Sequence, residues 1–234
     1  MTPTSPLRQE NAGSVRVGQP GVRSQPVRPR LRGVSHEAGA FAFPLLALPL
    51  IIAAREGGAR LAVVVYAVGV TAMYVVSACY HRGRWSTGAK RRMRRLDHST
   101  ILCGIAATYT PIATIGLDAP TARVLLIIVW SLAAAGALLR NLWLGAPPWL
   151  TAAVYVGVGW IAVGFSPTIL HHVGATTFGL LVAGGAVYTA GAVVYATRRP
   201  DPLPTVFGYH EVFHALVLSA GLLFYAAVAR VVLS

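Results

Sequence analysis

Charged residues are scarce in this 234-residue chain, and acidic residues are scarcer than basic ones. Asp and Glu number 7 against 20 Lys and Arg, and the four types together make up 12% of the residues. The apolar share is 55% and the mean hydropathy is +0.61, values outside the range of soluble globular domains. The only cysteines, Cys79 and Cys103, lie in long apolar runs, so no disulfide is assigned. This composition predicts a membrane protein.

Seven apolar runs follow residue 35, each near the roughly 20 residues that a helix needs to cross a bilayer core. The polar joints between the runs are short, which makes sequential helices antiparallel neighbours in one bundle. We therefore predict an all-α transmembrane domain over residues 36–234 with seven membrane helices. The predicted spans are 36–54, 59–81, 97–117, 121–141, 148–168, 174–197 and 207–231.

Residues 1–35 differ from the rest, because they are rich in Pro, Gly, Ser and Arg and have no apolar period. Such a segment buries too little surface to fold, so we predict a disordered basic tail. A transit peptide is the alternative for an Arg-rich, acid-poor leader, but prolines and the missing amphipathic pattern disfavour it.

The basic residues predict the orientation. If the N-terminus lies in the cytoplasm, 16 of the 20 Lys and Arg fall inside and only Arg55, Arg60, Arg123 and Arg230 lie outside. The positive-inside rule then gives an N-in, C-out topology. This asymmetry, with anionic headgroups beside residues 81–95, explains the net charge of +13 without nucleic acid. The Arg-rich, Lys-poor usage indicates a GC-rich bacterium and hence the bacterial inner membrane.

Ionisable side chains are costly in a bilayer and mark candidate functional sites. His81 ends the second predicted span, Asp97 opens the third, and His210 and His214 lie in the first turns of the seventh. The N-in topology places all four near the cytoplasmic face. Three imidazoles and a carboxylate at one depth predict a shared site.

Residue spacing and donor chemistry favour zinc at this site. His210 and His214 are one helical turn apart and project from one face, and Ser77 has the same spacing to His81. Three neutral imidazoles leave a tetrahedral zinc one open position, as in catalytic zinc sites. We predict Zn²⁺ bound by His81, His210 and His214, with Asp97 accepting a hydrogen bond from a water that the metal activates.

The remaining polar residues have simpler interpretations. Histidines at a membrane interface are often only solvated, and we expect His171 and His172 to lie in an outer joint without a partner. His98 is expected to pack or pair locally, and Glu211 to be a solvated or helix-start acid. His36 is either beside the site or interfacial. A serine in a membrane helix, such as Ser77, usually bonds to its own backbone.

Three ordered motifs carry a family resemblance. The S-x-x-x-H of SACYH, the D-H of RRLDHST and the H-x-x-x-H of GYHEVFHALV resemble the haemolysin III branch of the progestin and adipoQ receptor superfamily, which is distantly related to alkaline ceramidases. The resemblance covers all but the tail. It implies seven helices and a zinc ion held by His81, His210 and His214, with Asp97 linked through water and Ser77 close by. SHEAG at residues 35–39 departs from the family's usual T-H-G-x-G.

Two functions are compatible with these residues. The first is a zinc-dependent intramembrane hydrolase of lipid amide or ester bonds, in which Asp97 relays the proton and Ser77 donates to the oxyanion. The second is a non-enzymatic sensor or regulator of membrane lipid state, in which zinc ties helices together. An open metal position favours the enzyme, and a fourth protein ligand favours the regulator. Membrane lipids are the expected partners, and the oligomeric state is left open.

Two further readings are disfavoured. A pore-forming haemolysin needs a polar stripe along several helices, whereas these spans are apolar nearly all round and carry Gly and Ala for close helix contact. Haem with two histidine ligands needs facing helices on either side of the ring. Paired rings on one helix face suit a single ion better.

Overall fold

The described part of the chain, residues 28–234 of a computed structural model, is built from helices joined by short loops. In chain order they are α1 (Val34–Ala53), α2 (Gly58–Arg82), α3 (Thr87–Gly116), α4 (Ala119–Leu142), α5 (Pro148–Gly159), a 3₁₀ helix (Ile161–Phe165), α6 (Ser166–Thr197) and α7 (Tyr209–Leu233). Within residues 28–234 extended structure is limited to one isolated bridge between Leu203 and Phe207. The all-α prediction is confirmed, and residues 1–27 of the predicted tail lie outside the described residues.

Six helical segments of residues 28–234 are long and apolar enough to cross a membrane. Five of them are α1, α2, α3, α4 and α7, and the sixth is the continuous stretch Pro148–Thr197 that holds α5 and α6. The protein is therefore an integral membrane protein, as its composition predicts.

The Pro148–Thr197 stretch is not one straight helix. Its 50 residues would extend about 75 Å if straight, far beyond a bilayer core of about 30 Å. Gly174 within α6 has φ 76° and ψ 163°, a conformation open to glycine and strained for other residues. The Trp160 indole donates to Thr189 Oγ1 at 2.8 Å across 29 residues. That contact requires the chain to fold back between Trp160 and Thr189.

Two boundaries differ from the sequence prediction. Helix α3 begins at Thr87 rather than near 97, because Ser86 Oγ accepts the Ala89 N–H at 3.4 Å as a helix cap and the following arginines are good helix formers. The basic residues predicted in a joint therefore extend α3 beyond its apolar part. Helix α6 begins at Ser166, so its first turns include the segment predicted as an outer joint.

His171 and His172 accordingly lie in α6, and the prediction that His172 has no partner is wrong. Its Nε2 lies 3.8 Å from Asp118 Oδ2. Asp118 also caps α4, where Oδ1 accepts the Thr121 N–H at 3.0 Å, and this hydrogen bond lowers the pKa of the Asp118 carboxyl. Because an ionised carboxylate at a helix N-terminus also interacts favourably with the helix dipole, this capped carboxylate stabilises the start of α4.

Packing between the helices positions the candidate site. Consecutive helices are neighbours, and α7 closes the bundle by contacting α1, α3 and α6. Buried aromatic side chains such as Phe43, Tyr66 and Tyr74 fill the space between α1, α2 and α7. This arrangement brings the last turn of α2 beside the first turns of α7, with the start of α1 and the middle of α3 around them. We call this end of the bundle the histidine end.

Candidate metal centre

Three histidines from two helices converge at the histidine end. One ring nitrogen each of His81, His210 and His214 lies within 4.8 Å of the others, and Nε2 of His81 is 3.2 Å from Nε2 of His210. The His214 ring centroid lies 4.9 Å from that of His81 and 4.6 Å from that of His210. His81 and His214 are buried, and His210 is half-buried. The three predicted ligands therefore meet in space.

This geometry fits a metal ion. Zinc–nitrogen distances of about 2.0–2.1 Å in a tetrahedral site place ligand nitrogens about 3.3 Å apart, close to the His81–His210 separation of 3.2 Å. Two imidazole nitrogens that approach so closely need either a shared proton or a shared cation. Nδ1 of His214 is buried and has no hydrogen-bond partner among the described residues. The group can hold one divalent ion, and its three nitrogens leave a tetrahedral ion one further position.

Ser77 lies one turn below His81 on α2 and is buried. Its Oγ is 2.8 Å from Nδ1 of His36, so it bonds to a histidine of α1 rather than only to its own helix. The His36 ring stacks on His214 with centroids 3.9 Å apart and an interplanar angle of 2°. His36 is thus beside the site, and the interfacial alternative for it is wrong. It connects Ser77 to a predicted metal ligand.

Asp97 and His98 enter from α3, and both are buried. The Asp97 carboxyl neighbours the Ser77 hydroxyl, which places the predicted proton carrier beside the predicted oxyanion donor. His98 Nδ1 donates to the Arg94 carbonyl at 2.6 Å. Its local pairing agrees with the sequence prediction, and it lies outside the three-histidine group.

Residues 28–33 pass over the histidine end as a short strap. The N–H groups of Arg30 and Leu31 donate to the carbonyls of Thr205 and Val206, each at 3.0 Å. These bonds attach the strap to the loop that leads into α7. The residues from 28 onward are therefore part of the folded domain, although the sequence assigns them to the tail.

Glu211 anchors this strap from α7. It forms an ion pair with Arg32, and its Oε2 accepts the Gly208 N–H at 2.9 Å. Only 2% of its side chain is exposed, so the prediction of a solvated acid is wrong, whereas its role at the helix start is confirmed. Burial is tolerated because both carboxylate oxygens have donors.

Replacing Arg32 with methionine is expected to destabilise the histidine end. The change leaves the buried Glu211 carboxylate without its cation, at a cost of about 2–3 kcal/mol in unfolding free energy. Arg82→Met is the matched control, because the Arg82–Glu37 pair spans 2.9 Å but has 46% and 42% exposed side chains and contributes under about 1 kcal/mol. Thermal unfolding in detergent measures both. Equal losses in the two variants would contradict a special role for the buried pair.

Gly33 sets how closely the strap approaches His81. It has φ 82°, and a Cβ at this position would lie 2.7 Å from the His81 Cβ. Only glycine satisfies both the left-handed backbone and this close approach. The strap therefore limits the position of His81, a predicted metal ligand, through the close approach of Gly33.

Gly33→Ala is expected to lower metal content as well as stability, because the new methyl group displaces His81. Gly57→Ala separates the two effects. Gly57 also has positive φ, 81°, but none of the described residues has an atom within 4 Å of its Cβ position. Both variants lose about 1 kcal/mol or more through backbone strain, while only Gly33→Ala should lose bound zinc. Metal analysis of the folded fraction makes the comparison, and full zinc content in Gly33→Ala would contradict the prediction.

The chain matches the family described as Haemolysin-III related over residues 24–225. It is 29% identical over 203 residues to Hemolysin-3 of Bacillus cereus, covering 86% of this chain and 90% of the relative. It is 28% identical over 188 residues to the Hemolysin-3 homolog of Bacillus subtilis strain 168, covering 79% and 85%. Human monocyte to macrophage differentiation factor is 23% identical over 209 residues, 82% of each chain. No solved structure matches the chain significantly.

Proposed function

The chain belongs to the haemolysin-III related family, and from that premise we propose that it is a zinc-dependent hydrolase of lipid amide or ester bonds. The observation that carries the proposal is the convergence of nitrogens from His81, His210 and His214 within 4.8 Å. Among the described residues, this group has three ligand nitrogens. A tetrahedral zinc ion bound to them would keep its fourth position for water or a substrate carbonyl. An open position is the mark of a catalytic zinc site.

The proposed topology has seven crossings, with the N-terminus and the histidine end on the cytoplasmic side of a bacterial inner membrane. The fold-back between Trp160 and Thr189 supports two crossings in the Pro148–Thr197 stretch. The charge distribution supports the orientation. Thirteen basic residues of the described chain lie towards the histidine end, against four at the opposite end: Arg28, Arg30, Arg32, Arg82, Arg84, Lys90, Arg91, Arg92, Arg94, Arg95, Arg140, Arg198 and Arg199, against Arg55, Arg60, Arg123 and Arg230.

Zinc held by three histidines supplies Lewis-acid activation of a carbonyl and of water. The protein's own groups then manage the proton. The Asp97 carboxylate accepts a proton as water adds to the carbonyl carbon, and delivers it to the amine or alkoxide as the C–N or C–O bond breaks. If His36 Nδ1–H donates to Ser77 Oγ, the Ser77 hydroxyl proton stays available for the developing oxyanion. His36 thereby orients Ser77.

An apolar cavity suits a lipid substrate. It has a volume of about 150 Å³ and lies deeper in the bundle than the histidines, lined by residues that include Met73, Tyr74 and Val217. Met73 is one turn below Ser77 on α2, and Val217 is one turn below His214 on α7. A substrate with its carbonyl at the metal centre can place part of an acyl chain in this space, where apolar burial favours it.

The test combines zinc content with turnover. Purified protein is assayed for zinc and for fatty-acid release from amide and ester lipids, before and after removal of the metal by a chelator. Zinc-dependent release supports the hydrolase. A protein that holds zinc and releases no fatty acid from either lipid class rejects the hydrolase and supports the alternative, a zinc-stabilised regulator of membrane lipid state.

A further inference from the structure

Arg140 is a buried cation near the last turn of α4, at the histidine end. Its relative exposure is 6%, and its Nε is buried without a hydrogen-bond partner among residues 28–234. Its Nη1 donates to the Trp143 carbonyl at 3.1 Å. A buried charge with an unpaired donor is costly unless an anion compensates it.

The described chain supplies no such anion at bonding distance. Among residues 28–234, five pairs of acidic and basic side chains lie within 4 Å of each other. None of these pairs includes Arg140. Asp97, one of the acids at the same end, has Oδ2 3.9 Å from His98 Nδ1. The negative end of the α4 dipole offsets part of the charge, but a helix dipole corresponds to only about half an elementary charge. An anion from outside the chain would therefore compensate the remaining charge of Arg140.

A small cleft adjoins the guanidinium. It lies between α4 and α5, has a volume of about 20 Å³, and is lined by Arg140, Gly136, Trp143, Thr151 and Tyr155 among others. A cavity of about 10–15 Å³ is enough for one water molecule. The cleft therefore admits one oxygen atom of a larger group that remains at its mouth.

The mouth opens on an exposed face of the bundle. Leu139 and Trp143, which line the cleft, are exposed, and so is Trp149 at the start of α5. Exposed tryptophans are typical of the headgroup level of a bilayer. In a membrane this face meets lipid headgroups, so a lipid can bring an anion to Arg140 from this side.

We propose that Arg140 binds a phosphate oxygen of an anionic phospholipid in the cleft between α4 and α5. Guanidinium groups pair with phosphate through charge-assisted hydrogen bonds, and basic pockets between membrane helices are suited to acidic headgroups. A zwitterionic headgroup neutralises Arg140 less well because it brings its own cation. This site is separate from the three histidines and does not require zinc or turnover.

The experiment measures binding of phosphatidylglycerol to purified protein in detergent, by native mass spectrometry and by thermal shift. Wild type is expected to retain phosphatidylglycerol in preference to phosphatidylcholine. Arg140→Gln should weaken this binding about 10-fold or more, as expected for loss of hydrogen bonds to a charged group. Arg95→Gln is the matched control, because Arg95 is exposed at the same end and the variant should bind as wild type does.

Inorganic phosphate alone identifies the source of the anion. No thermal shift with inorganic phosphate supports a lipid, whereas a shift as large as that with phosphatidylglycerol overturns the lipid assignment. Equal lipid binding by Arg140→Gln and wild type overturns the site. If Arg140→Gln does not fold, two other measurements test the site. Wild type should still prefer phosphatidylglycerol to phosphatidylcholine, and Arg140→Lys should bind phosphatidylglycerol more weakly than wild type does. A wild type without preference for phosphatidylglycerol over phosphatidylcholine rejects the proposal by itself.

Discussion

His210→Ala and His214→Ala are each expected to reduce zinc in the purified protein from about one ion per chain to near background. Each change removes one of three nitrogens and leaves a site that binds zinc weakly. The measurement is metal content per folded chain by mass spectrometry after gel filtration. His81→Ala should behave in the same way, because its Nε2 lies 3.2 Å from that of His210.

His98→Ala is the matched control for these variants. His98 is also buried at the histidine end, but its ring bonds to the Arg94 carbonyl and lies outside the group. Zinc content in His98→Ala should equal that of wild type. Equal zinc in wild type and in His210→Ala and His214→Ala would remove the metal centre from the proposed function, and an equal loss in His98→Ala would indicate general unfolding.

Asp97→Asn is expected to lower lipid hydrolysis by about 10²–10⁴-fold, the usual contribution of general acid–base catalysis, while zinc content stays unchanged. Asparagine preserves the shape of the side chain, but it cannot take a proton. Fatty-acid release and zinc content are measured on the same preparation. Lost turnover with retained zinc would show that the substitution affects the reaction and not the folding of the protein.

Asp118→Asn provides the control for Asp97→Asn. Asp118 caps α4 at the opposite end of the bundle, and asparagine is as good an N-cap as aspartate, so zinc, turnover and fold should all persist. Wild-type turnover in Asp97→Asn would show that another group moves the proton. An unchanged cellular phenotype in Asp97→Asn, together with a wild type that hydrolyses neither lipid class, would favour the regulator.

The sequence was sufficient for the membrane class and for the three histidines that come together in the structure. A long apolar run must form a helix in lipid, because its backbone N–H and C=O groups have no other partners there, and five of the predicted spans correspond to single helices. The i, i+4 spacing of His210 and His214 puts both rings on one face of α7 whatever its neighbours are. Chain direction then brings the end of α2 and the start of α7 to one side of the bundle. These conclusions follow from local geometry and from the bilayer.

Tertiary structure decided which other residues surround that site. His36 reaches Ser77 and stacks on His214, and Arg32 reaches Glu211 across 179 residues, pairings that carry no periodic signal. The sequence does contain one indication of the strap, Gly33. A glycine just before an apolar run indicates either a close contact with another segment or a backbone conformation with positive φ. The identity of its neighbour, His81, depends on how α1 packs against α2.

The same division holds for Arg140 and for the Pro148–Thr197 stretch. From sequence alone, Arg140 is a basic residue at a helix end, where the dipole and the interface both favour it. Its guanidinium becomes buried only when α4 packs in the bundle, and Nε then has no partner in the part of the chain that the structure describes. The composition of residues 148–197 likewise predicts an apolar helical segment, because both properties depend on the local sequence. The fold-back depends on contacts such as Trp160 with Thr189, which exist only once distant parts of the chain meet.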